Sequence, residues 1–108
     1  MLTIEYDNIN YKLGRNAKEN FALIDDAQDA NPDYWWFHLE DHPSGHCVIY
    51  NETVTDQMIK FAANLVKQYS KLKDTNKVKI VYTQIKNVKK TKTIGQVLLQ
   101  GPTKNISV

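Results

Sequence analysis

Short hydrophobic and aromatic runs broken by turn residues, with two longer stretches of helical spacing, organise this chain. Thr3 to Tyr6 and Ile9 to Leu13 read as short strands joined by the turn pair Asp7-Asn8. Gly14 then punctuates the chain. Asn16 is placed to cap a helix, with Glu19 three residues on as in a capping box, ahead of Ala17, Phe21, Ile24 and Ala27 and the neighbouring Ala22 and Leu23. This helix is predicted to end near Asp29, where Ala30-Asn31-Pro32 breaks it. Tyr34 to Leu39 and His46 to Tyr50 flank a polar turn with Pro43 and Gly45, predicting a β-hairpin-like unit. A second helix is predicted from near Thr55, placing Met58, Ala62, Leu65, Val66 and Tyr69 on one face as core.

Beyond that helix, Lys77 to Thr83 alternates, with Val78, Ile80 and Tyr82 to one side and Lys77 and Lys79 to the other, as in a half-buried strand with a basic face. Lys86 to Lys92 reads as an exposed basic loop, Ile94 to Gln100 as a strand, and Gly101-Pro102 as a turn into a last strand at Asn105 to Val108. Strands outnumber helices. The expected class is α+β, a mostly antiparallel sheet with two main helices in a single compact domain over residues 1–108.

Composition narrows the functional classes. A chain of 108 residues buries one modest core, so we expect one standalone domain. Its 42% hydrophobic and 24% charged residues are ordinary for a globular protein, and no apolar run approaches the roughly 18 residues of a membrane span. The first residues, Met-Leu-Thr-Ile-Glu, lack the regions of a signal peptide, which leads us to expect a cytoplasmic, reducing setting and no membrane partner. Cys47 has no second cysteine to pair with and suits a small core residue. The net charge of +2 conceals a polarity. Residues 1–70 carry five Lys or Arg against eleven Asp or Glu, whereas residues 71–108 carry nine Lys against Asp74 alone. Such a basic segment suits a polyanion, nucleic acid being the usual one; a solvated lysine surface is the plainer alternative.

Candidate chemistry is concentrated in residues 33–49, which hold all three histidines, the one cysteine and both tryptophans. His38, His42 and His46 have the four-residue spacing of helical metal ligands, but Pro43 and Gly45 argue against a helix there, and no metal is expected. His38 or His46 with Ser44 and Asp41 has the residue types of a hydrolytic triad without a nucleophile elbow or oxyanion loop. No glycine-rich phosphate loop is present, and no cofactor is expected. Nucleic-acid binding has both of its ingredients: lysines for phosphates, and aromatic rings or imidazoles for unpaired bases. Tyr34, Trp36 and His38 share one strand face and Trp35, Phe37 and Leu39 the other; periodicity leaves open which set is core.

The motifs also carry a family resemblance. Leu13-Gly-Arg-Asn-Ala17 with Asn20, Trp36-Phe-His38 leading to Asp41, Pro43-Ser-Gly-His46, Val81-Tyr-Thr83, and Val88-Lys-Lys90 before Gly95-Gln-Val97 resemble the successive motifs of the NFACT-R domain. That family's domain is an α+β RNA-binding module. It is found in larger proteins that engage transfer RNA and the large ribosomal subunit during rescue of stalled translation, and also as small standalone proteins. The resemblance implies a shared surface of Arg15, Asn16, Asn20, Trp36, His38, Asp41, Ser44 and His46. To it are added the basic residues Lys77, Lys79, Lys86, Lys89, Lys90 and Lys92. The expectation is a module that binds RNA, transfer RNA or ribosomal RNA first, with the ribosome as a further partner, DNA left open and no catalytic step. Two other readings stand beside it: a small enzyme acting on RNA through His38, His46 and Asp41, and an adaptor anchored on a partner protein by Trp35 or Trp36.

Overall fold

The computed structural model describes residues 1–108. Eight strands and two helices succeed one another in the order β1 (Leu2–Tyr6), β2 (Ile9–Leu13), α1 (Ala17–Ala30), β3 (Trp35–Leu39), β4 (Cys47–Ile49), α2 (Asp56–Gln68), β5 (Lys79–Gln84), β6 (Val88–Lys90), β7 (Val97–Leu99) and β8 (Lys104–Ser107). Six of the strands form one sheet in the order β1-β2-β4-β3-β5-β8, every pair antiparallel, while β6 and β7 pair apart from it. The α+β class, the two helices and the mostly antiparallel sheet are as the sequence pattern predicts.

Local chemistry explains the element boundaries. Asp7 and Asn8 both adopt positive φ, 53° and 64°, the left-handed pair that a two-residue hairpin turn requires. Asn16 caps α1 by accepting the Glu19 N–H at 2.9 Å, and Glu19 Oε1 accepts the Arg15 N–H at 3.0 Å. Thr55 caps α2 by accepting the Met58 N–H at 3.2 Å. The predicted hairpin over residues 34–50 forms as β3 against β4, with Trp36 opposite Val48.

Both faces of the sheet are covered. Phe37, Leu39, Cys47, Ile49 and Ile80 pack under Ala62, Ala63 and Val66 of α2. On the opposite face Trp36 and Val48 pack under Leu23, Ile24 and Ala27 of α1. The central strands are therefore core on both sides, and both alternating sets of β3 contribute to it, with Trp35 and His38 half-buried.

Two expected elements differ. Residues 86–92 are not a loop: one turn of 3₁₀ helix over Ile85–Asn87 leads into β6, which pairs with β7 as Val88 opposite Leu99 and Lys90 opposite Val97. The cause is long-range. Ile85 N–H donates to Tyr34 O (2.7 Å) and Lys86 N–H to Pro32 O (3.0 Å), turning the chain out of the main sheet, and Gln28 Nε2 donates to Ile85 O and Val88 O at 3.0 and 2.8 Å, holding it over α1. The strand expected at 94–100 is accordingly only Val97–Leu99. Tyr69 is not core either. It is the residue at which α2 ends, and it is 53% exposed.

Candidate nucleic-acid interface

The central feature is an open groove of about 1040 Å³ where five separate stretches meet: the start of α1, the 36–45 strand and turn, residues 69–71 after α2, Val81 of β5, and the 94–103 segment. Arg15, Asn16, Asn20, Trp36, His38, Asp41 and Ser44, all expected from the sequence to share a surface, line it together. His46 does not; it lies buried beneath.

A close-packed junction sets the groove's floor. Gly14 N–H donates to His46 O at 2.9 Å, and His46 N–H donates to Asn20 Oδ1 at 3.0 Å, binding the end of β2, the start of β4 and the first turn of α1 together. A Cβ on Gly14 would lie 2.3 Å from Asn20 Oδ1, and one on Gly45 would lie 2.3 Å from Gly14 O, so only glycine permits these approaches. With its oxygen committed, Asn20 has its NH₂ left to offer a ligand.

Above this junction the histidines and Trp36 form an aromatic stack. Trp36 and His38 lie parallel, 5.6 Å between centroids, and the His46 ring stands edge-on to both, 5.2 Å from Trp36 and 5.1 Å from His38. Trp36 is 1% exposed and its indole N–H has no partner in the chain. It therefore backs His38 and has no open face for a base. Trp35 is likewise engaged, donating to Glu52 O at 2.9 Å and packing near Tyr82, which leaves no protruding tryptophan anchor. His38 Nδ1 lies 2.5 Å from Leu39 O; a carbonyl only accepts, so Nδ1 carries the hydrogen. Burial holds the His38 pKa below its ordinary value, against that hydrogen bond, leaving Nε2 of the neutral ring as an acceptor. Burial, reinforced by His38, takes His46 down to about 3. A ring that stays neutral and lies under the floor is not placed for proton transfer with Asp41.

The turn after β3 is self-supported. Ser44 Oγ accepts the Leu39 N–H at 3.1 Å and donates to Gly45 O at 2.9 Å, which accounts for the hydroxyl structurally. Asp41 adopts φ 66°, a conformation aspartate tolerates, and its side chain is exposed.

Charge is distributed differently from the sequence expectation. Arg15 donates through Nε and Nη2 to the two carboxylate oxygens of Glu19 at 3.1 Å each, and Glu19 also pairs with the amino terminus at 2.9 Å. The Arg15 contact, followed by the amino terminus, holds the Glu19 pKa down to about 2. Lys86 pairs with Asp33 at 3.0 Å and Lys90 with Asp25 at 2.7 Å, so Lys90 is drawn to α1 and Lys86 to the turn just after it. Lys89 and Lys92 stay exposed and outside any salt bridge, on the hairpin whose Ile94, Gly95 and Gln96 form one groove wall. Lys77 and Lys79 line a smaller neighbouring cavity that shares Glu40, Asp41 and His42 with the groove.

Sequence reasoning missed Tyr69, Lys71 and Gln96, which also line the groove. For Tyr69 the signal was available: α2 ends there, ahead of Ser70 and a polar, lysine-rich stretch, so the helical stripe stops one position short of it. Gly95 adopts φ 88°, and a Cβ on it would sit 2.7 Å from Ala17 Cβ, so the far wall closes directly on the start of α1.

Comparison with known proteins identifies the family of the chain. A family model described as the NFACT protein RNA binding domain matches residues 3–104. The chain is 36% identical over 78 residues to the Rqc2 homolog RqcH of Bacillus subtilis (strain 168), covering 72% of this chain and 13% of that protein. The solved C-terminal part of the fibronectin/fibrinogen-binding protein of Streptococcus suis superposes with a TM-score of 0.87 at 27% identity, covering 98% of this chain and 44% of that one. The chain thus spans less than half the length of each of these relatives.

Proposed function

The chain belongs to the NFACT family of RNA-binding domains, and from that premise we propose that it binds transfer RNA or ribosome-associated RNA in the cytoplasm, serving the rescue of stalled translation without a catalytic step of its own. The observation that carries this reading is convergence. Five stretches far apart in sequence build one open groove; outside any salt bridge, Lys71 lines it, Lys77 and Lys79 line the cavity beside it, and Lys89 and Lys92 stand on the hairpin that forms one of its walls. Lysines at such positions neutralise phosphates and set affinity, while the groove between them supplies what discrimination there is.

The test is fluorescence-anisotropy titration of the protein against transfer RNA, single-stranded RNA and duplex DNA at several salt concentrations. Transfer RNA is expected to bind tightest, with log affinity falling by roughly 0.7 to 0.9 per log unit of salt for each phosphate contacted. No binding to any of the three at low salt would overturn the reading, and equal binding of duplex DNA would remove its preference for RNA.

A further inference from the structure

Tyr69 is the one tyrosine of the six without a ring beside it. Tyr6 and Tyr11 pack on Phe61, Tyr34 on Tyr50, and Tyr82 on Trp35 and Phe37. Tyr69, 53% exposed, is held by its backbone N–H to Leu65 O at 3.1 Å and lines the groove. Ile94, 57% exposed, and Leu99, also exposed, line the same groove. An exposed ring and open aliphatic side chains in one concavity suit a flat apolar-faced ligand, not a hydrated phosphate.

The charges agree. Among the groove's lining residues Arg15 and Lys71 are balanced by Glu40 and Asp41, and Arg15 is already bound to Glu19. The flanking lysines, not the groove, are where phosphates are attracted. What the groove offers is hydrogen bonding: acceptors at His38 Nε2, Asp41 and Glu40, and a donor at the Asn20 NH₂.

Resting on the RNA-binding reading above, we propose that this groove is a pocket for a single unpaired base of the RNA, stacked on Tyr69 and read along its edge by the His38, Asp41 and Asn20 side chains, with guanine favoured. Guanine presents two adjacent N–H donor positions beside one carbonyl acceptor, matching a site richer in acceptors than donors. Uracil presents one donor between two acceptors and leaves a carboxylate facing a carbonyl oxygen. Stacking on an exposed ring is indifferent to base identity, so Tyr69 supplies affinity and the carboxylate supplies the preference.

The experiment uses six-nucleotide single-stranded RNAs, all uridine or with one central guanosine, titrated by anisotropy beside transfer RNA. The parent protein, Tyr69→Ala, Tyr69→Phe and Asp41→Asn are compared, with folding checked by circular dichroism. The guanosine oligonucleotide is expected to bind the parent at least about 5-fold tighter than the all-uridine one, and Tyr69→Ala to lose about 5-fold or more on the guanosine oligonucleotide while Tyr69→Phe keeps its affinity. Asp41→Asn, which retains a residue tolerant of this backbone, is expected to abolish the guanosine preference. Equal affinity for the two oligonucleotides, or Tyr69→Ala binding like the parent, overturns the base pocket while retained transfer RNA binding leaves the RNA-module reading intact. Loss of all RNA binding by the parent protein overturns both.

Discussion

His46 sits where a residue expected to touch RNA turns out to tie the fold together. Its N–H is held by Asn20 Oδ1, its carbonyl by Gly14, and its ring Nδ1 has no partner. The buried ring takes a proton only near pH 3, whereas in the unfolded chain it does so near its ordinary 6.5. Between those values the unfolded chain binds the extra proton, so stability falls as pH drops from about 6.5 toward about 3. His38, also lowered by burial, adds to this in the same direction, and Glu19, lowered to about 2, adds its own loss only below its ordinary 4.5. His46→Phe keeps the backbone bonds and a ring of similar size while removing the titration. Its stability at pH 7 is expected to stay within about 1.5 kcal/mol of the parent. Denaturant melts between pH 6.5 and 4.5 should show a shallower decline than the parent; an unchanged slope would mean the ring is hydrated in the folded state. The importance of Gly14, Asn20 and His46 was visible in the sequence, but not its kind. Asn20 and His46 are 26 positions apart, and nothing in their spacing reveals that one holds the other's backbone.

Elements whose causes are local were readable, and those with distant causes were not. Asp7-Asn8, Asn16 and Thr55 each act on neighbours a few residues away, and the first hairpin and both helix starts follow from them. The β6–β7 hairpin depends on α1. Its lysines hide any alternation, and three-residue strands take their identity from what they pack against. Likewise, Trp-Trp-Phe-His-Leu reads as one outward and one inward face only if one side of the sheet is bare; with a helix on each side, each set has members in the core, Trp36 in one and Phe37 and Leu39 in the other. The hairpin's dependence is testable at Gln28, whose Nε2 donates to both Ile85 O and Val88 O. Gln28→Ala removes both bonds and is expected to cost about 1–3 kcal/mol in denaturant melts. Since β7 and Gly95 form the far wall of the groove, the amides of the 88–99 segment should exchange with solvent faster than those of β3 and β4 accelerate. Uniform acceleration throughout the chain would mean that the hairpin unfolds only with the whole domain.

At the scale of the molecule, the charge polarity of the sequence is partly cancelled in space. The basic third of the chain folds its 86–90 segment back onto the acidic first helix, where Asp25 and nearby Asp33 take up Lys90 and Lys86, and Asp26 takes Lys12 and accepts the Tyr50 hydroxyl. Counting lysines along the chain therefore overstates the field available to a polyanion, because an ion-paired lysine brings its carboxylate with it. Lys89 and Lys92 stand on the same hairpin without such partners, which makes the four lysines a controlled comparison. Lys89→Ala with Lys92→Ala is expected to reduce the salt slope of RNA binding by about 1.4 to 1.8, roughly two phosphates' worth. Lys86→Ala with Lys90→Ala is expected to change it by less than about 1, because these ammonium groups have already exchanged solution ions for Asp33 and Asp25. Both doubles alter only surface side chains, and exposed pairs of this kind contribute at most about 1 kcal/mol each, so folding should survive either change. The measurement is the same anisotropy titration over a range of salt. Equal slopes for the two doubles would mean that RNA draws Lys86 and Lys90 away from their carboxylates on binding, making the acidic side of α1 part of the contact instead of a surface turned from it.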